Sequence, residues 1–325
     1  MLSLNSCIEI INKEFDLLKA EPNQPAELYK PIYYVLDLTG KRIRPTLTLM
    51  ACNLFSDDIS AAIKPAAAIE IFHNFTLVHD DMMDNAILRR NQPTIHAKWD
   101  YNVAILSGDA MMIKAYQLMC DIDQELIKPL LDIFNKTALA VCEGQQYDMN
   151  FACRNNVHLD EYIEMIALKT SVLLAASLKI GAICGHAPEQ EAEKLYQFGL
   201  NLGLAFQIQD DYLDVYANQD VFGKTVGGDI AENKKTFLLI KALELAREEH
   251  ALILQKAINN EIPDMLEKVR LVRRVYDELN IAQVTKDKIT KYSNKAFEFL
   301  QSVDIEDTRK MLLLELAYDL MKRKK

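Results

Sequence analysis

The sequence predicts an all-α fold, and three observations carry that prediction. Apolar residues recur at helical spacing: Ile8, Ile11, Phe15 and Leu18; Leu130, Ile133 and Phe134; Leu238, Leu239, Ala242 and Leu245. Segments of strict apolar–polar alternation, which would mark half-buried strands, are nearly absent. Only ten glycines and nine prolines punctuate the 325 residues. The helices between breaks therefore run to roughly 15–25 residues, longer than the globular mean.

The elements follow from where the breaks fall. The first helix, carrying Ile8 to Leu18, ends at EPNQP (21–25). The next break is LTGKRIRP (38–45), with Pro45 expected at the first position of the helix TLTLMACNLF. Proline's fixed φ and missing N–H suit that place. A long apolar helix then carries NFTLVHDDMMD and stops at RRNQPT (89–94). Further breaks are expected at IKP (127–129), CGHAPEQ (184–190), VFGKTVGGD (221–229) and NNEIP (259–263). No linker rich in Ser, Gly or Pro and no repeat of fixed period intervenes, so residues 1–325 read as a single domain.

Composition excludes several functions. Half of the residues are hydrophobic, ample for a large core. The formal charge of −10 argues against nucleic acid as a partner, since such binders carry a basic face. Cys7, Cys52, Cys120, Cys142, Cys153 and Cys184 form no C-x-x-C pair, which reads as free thiols in a reducing cytoplasm. The segment MLSLNSCIEIINKEFDLL lacks a basic leader, so no signal peptide is expected. No run of about 18 apolar residues without charge predicts a membrane-spanning helix. The final KRKK reads as a solvated tail.

Two acidic clusters carry the chemistry. DDMMD (80–84) and DDYLD (210–214) share the pattern D-D-x-x-D, and each is embedded in an apolar helix. On a helix the first and last carboxylates lie on one face, one turn apart. Like charges so close repel unless a cation sits among them. Such oxygen donors suit a hard ion, Mg²⁺ above all, which keeps several waters and shares its shell with substrate phosphates. One such motif alone is most often a solvated helix end. Two of identical spacing in apolar surroundings make Asp80, Asp81, Asp84, Asp210, Asp211 and Asp214 candidate metal ligands.

Cations accompany both clusters. Lys41, Arg42 and Arg44 precede a helix N-terminus, a ready anion site. Arg89 and Arg90 follow the first acidic helix; Lys224, Lys234 and Lys235 follow the second. Singly, each is an ordinary surface charge. Together with the acidic motifs they make an alternating ladder of carboxylate, metal, phosphate and cation, and its natural ligand is a diphosphate with an apolar remainder. His73 stands seven residues, two turns, before Asp80 and so shares its face. His79 reads as structural.

From GKRIRP to NKKTFLL, the sequence resembles the trans-isoprenyl diphosphate synthases of the polyprenyl synthetase family. The resemblance implies a helical bundle around a central apolar cavity, magnesium (three ions per active site) and a homodimer. It implies an isopentenyl diphosphate site at Lys41, Arg44, His73 and Arg90, and an allylic diphosphate site at Arg89. The six aspartates match the family's two metal-binding motifs. Lys169, Lys224 and Lys234 would stabilise the departing diphosphate, and Thr170 and Gln207 would face the allylic carbocation. The diphosphate released would take the proton. EGQQYD resembles a further family segment through Gln145 and Asp148. One departure is Gly228, where many members carry lysine.

Product length should be set along the first acidic helix. Phe75 precedes Asp80 by five residues, about 7.5 Å along the axis. An ideal helix turns it some 140° from Asp80 and favours Thr76 and Phe72 on the pocket face. The resemblance implies Phe75 as the floor, so Phe75 and Thr76 are the candidate chain-length residues. A product of 15 to 20 carbons is expected, with 20 favoured. Competing readings are a class I terpene cyclase, a longer-chain polyprenyl diphosphate synthase, a metal phosphohydrolase built on His79, and a non-catalytic subunit. DDYLD and GKRIRP speak against the cyclase, the count of six histidines against the hydrolase, and retention of both acidic motifs against the subunit.

Overall fold

The structure, a computed structural model, describes residues 2–20, 23–38, 40–217 and 227–322. It is all-α as the periodicity predicts; among the described residues the only strands are Leu88–Arg89 and Gln92–Pro93. The chain divides into two compact units: one of Met1–Asn135, Ala176–Leu195 and Asp304–Leu313, the other of Lys136–Ala175, Tyr196–Val303 and Leu314–Lys325.

The first unit is built around α4 (Ser60–Met83), which packs on α1 (Leu4–Ala20), α3 (Ile43–Phe55) and α6 (Tyr101–Cys120). From Pro65 to Phe72 every residue of α4 is buried, including Glu70, so this stretch has no polar face. Its alanines, Ala66, Ala67 and Ala68, keep the neighbouring backbones close. α2 (Ala26–Asp37) packs on α6, whose start is capped by Asp100 accepting from Val103 N–H at 2.8 Å. α3 begins at Ile43 with Arg42 as its N-cap, so Pro45 is its third residue rather than the expected first.

After Asp84 the chain makes a small hairpin, β1 (Leu88–Arg89) against β2 (Gln92–Pro93). Arg90 and Asn91, at φ 52° and 60°, make its two-residue turn. The short α5 (Ile95–Lys98) leads into α6. α7 (Gln124–Ala152) contains Pro129 as its sixth residue, so the break expected at 127–129 falls instead between α6 and α7, before Gln124.

In the second unit α8 (Leu159–Ile166) passes into a π turn, Ala167–Ser171, and then the start of α9 (Val172–Cys184), whose residues from Ala176 on belong to the first unit. The stretch Leu159–Cys184 is long and apolar enough to cross a membrane by length and composition. It carries Lys169, however, and 67% of its most apolar window is buried in the protein, as in a core helix.

The second acidic motif lies in the last turns of α10 (Glu189–Tyr216). Beyond come α11 (Gly228–Ala231), α12 (Phe237–Leu245), α13 (Glu248–Ile258), α14 (Met265–Glu278), α15 (Ile281–Gln301) and α16 (Asp307–Lys322). Two apolar clusters flank α12. Phe237 and Ile240 join Phe151, Tyr162, Leu204 and Ile208, while Leu238, Leu239 and Ala242 join Val215, Leu254, Val272 and Tyr276. α10 and α12 each contribute to both clusters, which fixes the stretch that carries Asp210, Asp211 and Asp214.

Candidate active site

Both acidic motifs end their helices. Asp80 and Asp81 occupy the last turn of α4 and Asp84 is its C-cap; Asp214 stands two residues before the end of α10. The helix dipole places partial negative charge there, so the sequence has set carboxylates where the backbone repels them. A bound cation would remove that cost.

The members of each motif differ in surroundings. Asp81 is buried and its Oδ1 accepts from Arg89 Nε at 2.7 Å. Burial pushes its carboxyl above the usual range, against the pull of Arg89. Asp84 is exposed. In the second unit Asp211 accepts from Tyr162 O–H at 2.6 Å, from Phe237 N–H at 3.1 Å and from Gln207 Nε2 at 3.3 Å. Burial, with the nearby charge of Asp229, raises its pKa to about 6. Asp214 Oδ2 accepts from Asp229 N–H at 3.0 Å. Among the described residues no three His, Cys, Asp or Glu side chains close around one point. The carboxylates fit a hard divalent ion that completes its shell with water and substrate oxygens, and they do not make an all-protein cage.

The first unit gathers cations beside its acidic motif. Arg44 Nη1 meets His73 Nε2 at 3.0 Å, while Arg44 Nε is buried with no partner among the described residues. Burial lowers the Arg44 pKa to about 10 in spite of Glu70. It also lowers the His73 pKa well below 6.5, helped by Arg44, Arg90, Arg89 and Arg42, so the imidazole is neutral. The Arg90 guanidinium lies against Gly40, 2.6 Å from where a Cβ there would stand. Its backbone sits in the left-handed region, a strain that recurs at functional sites. Lys41 is exposed beside this group. Arg42 is different: it is buried and pairs with Glu70 at 2.8 Å. Its charge supports the turn and is not offered outward. A shallow cleft beside the hairpin is lined by Tyr34, Asn74, Asp81, Arg89, Arg90 and Thr94, among others.

The second unit assembles the remaining candidates. Lys169 and Thr170 stand in the π turn, a form frequent at functional sites. Lys169 Nζ donates to Asp148 Oδ2 at 2.6 Å and Thr170 Oγ1 donates to Gln207 Oε1 at 3.0 Å. A chain of hydrogen bonds thus runs from Thr170 through Gln207 to Asp211 and Tyr162. Lys234 is exposed and stands 3.7 Å from Asp229. A Cβ on Gly228 would stand 3.5 Å from Asp214 Oδ1, so this chain lacks a side chain beside that carboxylate. Lys224 lies outside the described residues.

A model of the polyprenyl synthetase family matches residues 25–279. The chain belongs to the polyprenyl synthetase family. The match runs through segments of both units. A geranylgeranyl diphosphate synthase of Methanosarcina mazei is 42% identical over 223 residues, 68% of this chain and 69% of the relative. A crystal structure of a geranylgeranyl pyrophosphate synthase superposes with a TM-score of 0.94 at 43% identity, covering all of both chains. A polyprenyl synthase from Caulobacter crescentus CB15, complexed with calcium and isoprenyl diphosphate, superposes with a TM-score of 0.87 at 29% identity, covering 99% of this chain and 97% of its own.

For this polyprenyl synthetase, sequence reading missed three residues beside the candidate site. Asp229 adds a carboxylate beside Asp211 and Asp214; its signal, an acid after VGG, was present. Tyr162, on the amphipathic α8, and Glu70, on the apolar α4, are single residues and gave none. The chain-length candidates sit in a run of rings. Phe75 lies edge-on to His79 at 4.7 Å and tilted to Phe72 at 5.6 Å; Phe72 meets Phe134, and Phe134 meets Tyr116, at 5.2 and 5.1 Å. Thr76 Oγ1 donates to His73 O at 2.8 Å. His79 Nε2 makes no hydrogen bond among the described residues, lies 4.0 Å from Asp109 Oδ1 and faces Gly108.

Proposed function

We propose that this chain condenses isopentenyl diphosphate head-to-tail with an allylic diphosphate, making a trans-prenyl diphosphate of 15 to 20 carbons and releasing diphosphate. Family membership supports the trans-prenyltransferase class. The observation that carries the reading is the grouping of Arg44, His73 and Arg90, which would give an anion a site additional to both aspartate motifs. A cyclase, which takes one diphosphate, has no use for it. The similarity to geranylgeranyl diphosphate synthases favours 20 carbons.

In this reading Lys41, Arg44, His73 and Arg90 hold isopentenyl diphosphate by its head. Asp80, Asp81, Asp84, Asp210, Asp211 and Asp214 hold magnesium, three ions in all, with Asp81 and Asp211 oriented by Arg89 and Tyr162. Bound magnesium supplies Lewis-acid neutralisation of the leaving diphosphate. The allylic C–O bond breaks as Arg89, Lys169, Lys224 and Lys234 stabilise the charge that develops on that diphosphate. Thr170 and Gln207 turn oxygen dipoles toward the carbocation. The isopentenyl double bond then supplies the electron pair of the new C–C bond, and the proton lost goes to the diphosphate. Phe75, with Thr76 beside it, stops the growing tail.

The same reading includes a homodimer in the cytoplasm. The exposed Ile105, Leu106 and Ile113 of α6 give an apolar stripe suited to a second copy, and none of the six cysteines forms a disulfide. Light scattering tests the dimer. The function is tested by incubation with isopentenyl diphosphate, Mg²⁺ and dimethylallyl, geranyl or farnesyl diphosphate in turn, followed by sizing of the product. Elongation of a starter supports the reading. Cyclised product made without isopentenyl diphosphate, or inorganic phosphate without chain growth, contradicts it.

A further inference from the structure

The π turn that carries Lys169 and Thr170 is seated between two glycines. A Cβ on Gly144 of α7 would come within 2.3 Å of Lys169 N and 2.7 Å of Lys169 Cα. A Cβ on Gly203 of α10 would come within 2.6 Å of Ser171 Cα. At Gly144 every near atom is backbone; at Gly203 the nearest is backbone, with Ser171 Cβ at 2.7 Å and Oγ at 2.9 Å behind it. Rotating the Ser171 hydroxyl would not relieve the contact with Cα, so the turn itself would have to move. Glycine within a helix weakens it and needs a packing reason, and here the same reason applies on both sides of one turn.

The two helices grip the turn alike. Four residues after Gly144, Asp148 takes the Lys169 ammonium at 2.6 Å. Four residues after Gly203, Gln207 takes the Thr170 hydroxyl at 3.0 Å. Residues four apart lie one above the other on a helix face. Each helix therefore admits the backbone at a glycine and holds the side chain one turn further on. A π turn holds one residue more than the α-helix allows, which rotates its side chains out of α register. The close approach lets a short threonine and a lysine reach both partners.

We propose that Gly144 and Gly203 are positioning residues that seat the π turn so that Lys169 and Thr170 are held in working geometry. This rests on the reading that those two side chains act in prenyl transfer. Neither glycine touches substrate; each acts through the backbone it admits.

The test uses the full chain and three substitutions, Gly144→Ala, Gly203→Ala and Gly185→Ala, with Lys169→Ala beside them. A displacement of the order of 1 Å costs about 10²-fold in rate, so both turn variants should lose about that in kcat. Their KM for isopentenyl diphosphate should stay at the wild-type value, because its proposed ligands lie in the other unit. Gly185→Ala controls for crowding alone: its Cβ would stand 2.6 Å from Cys52 O. It should lower the melting temperature and keep kcat per folded molecule. Deletion of Leu168, which returns the turn to α spacing without crowding, should fold and lose kcat in the same way. That deletion decides the matter if an alanine variant fails to fold. Wild-type kcat in folded Gly144→Ala and Gly203→Ala, or in the Leu168 deletion, overturns the proposal. Wild-type kcat in Lys169→Ala instead overturns the reading beneath it.

Discussion

Arg44 Nη1 lies 3.0 Å from His73 Nε2, joining the start of α3 to the middle of α4. The imidazole is neutral, so its Nε2 serves as acceptor for the guanidinium. His73→Gln offers an amide oxygen in its place and should keep the isopentenyl KM near wild type, whereas His73→Leu should raise it. The pH dependence follows from the direction of the shift. The folded pKa is depressed below the unfolded value of about 6.5. The unfolded chain therefore takes up a proton that the folded chain refuses as pH falls below 6.5. Stability from this residue is full above that pH and is lost below it. Urea midpoints against pH should fall less steeply on the acid side for His73→Gln than for wild type; an equal slope refutes the assignment.

Breaking the buried pair Arg42–Glu70 should be costly. The two side chains are 5% and 3% exposed. Glu70→Leu leaves the Arg42 guanidinium buried without its carboxylate and should cost about 3–5 kcal/mol in urea unfolding. Replacing both, Arg42→Met with Glu70→Leu, should recover most of that loss. A single variant as stable as wild type would show that Arg42 escapes to solvent.

Lys169 and Asp148 form an ion pair at 2.6 Å, with both side chains mostly buried. Lys169→Ala should lower kcat by about 10²–10³-fold, as expected on removing one preorganised charge from a leaving group. Asp148→Asn keeps the shape and loses the anchor, so it should lower kcat by less. Rapid-quench measurement of the first condensation separates these effects from product release. An Asp148→Asn loss larger than that of Lys169→Ala contradicts these roles.

Phe75 is the first ring of the run leading to Phe72, Phe134 and Tyr116. Phe75→Ala should lengthen the product beyond 20 carbons, with Phe72 and Phe134 limiting the extension. Chromatography of dephosphorylated products reads this directly. Unchanged length removes Phe75 as the floor.

Much of this architecture was legible in the sequence, and the failures have physical causes. Helical spacing gave the class: in Ile8–Leu18 it reflects one inward face, whereas Phe237 to Ile240 of α12 are buried all round and Leu245 is exposed. Pro129 misled because a proline near a helix start disrupts little, so IKP marks no break. The Arg90–Asn91 hairpin carries no alternating strands, and the π turn has no compositional mark. Spacing put three carboxylates of each motif near one face, yet it cannot say that Asp81 turns to Arg89 or Asp211 to Tyr162. Those partners come from distant elements, and only packing brings them in.

The account depends most on divalent ions held by both aspartate motifs. The direct measurement is elongation of farnesyl diphosphate by chain stripped of divalent ions and then titrated with Mg²⁺, for wild type, Asp80→Asn and Asp210→Asn. The account predicts no product before Mg²⁺ is added, and a higher Mg²⁺ midpoint in both variants. Full-rate elongation by the stripped chain, or a midpoint moved in only one variant, would contradict it.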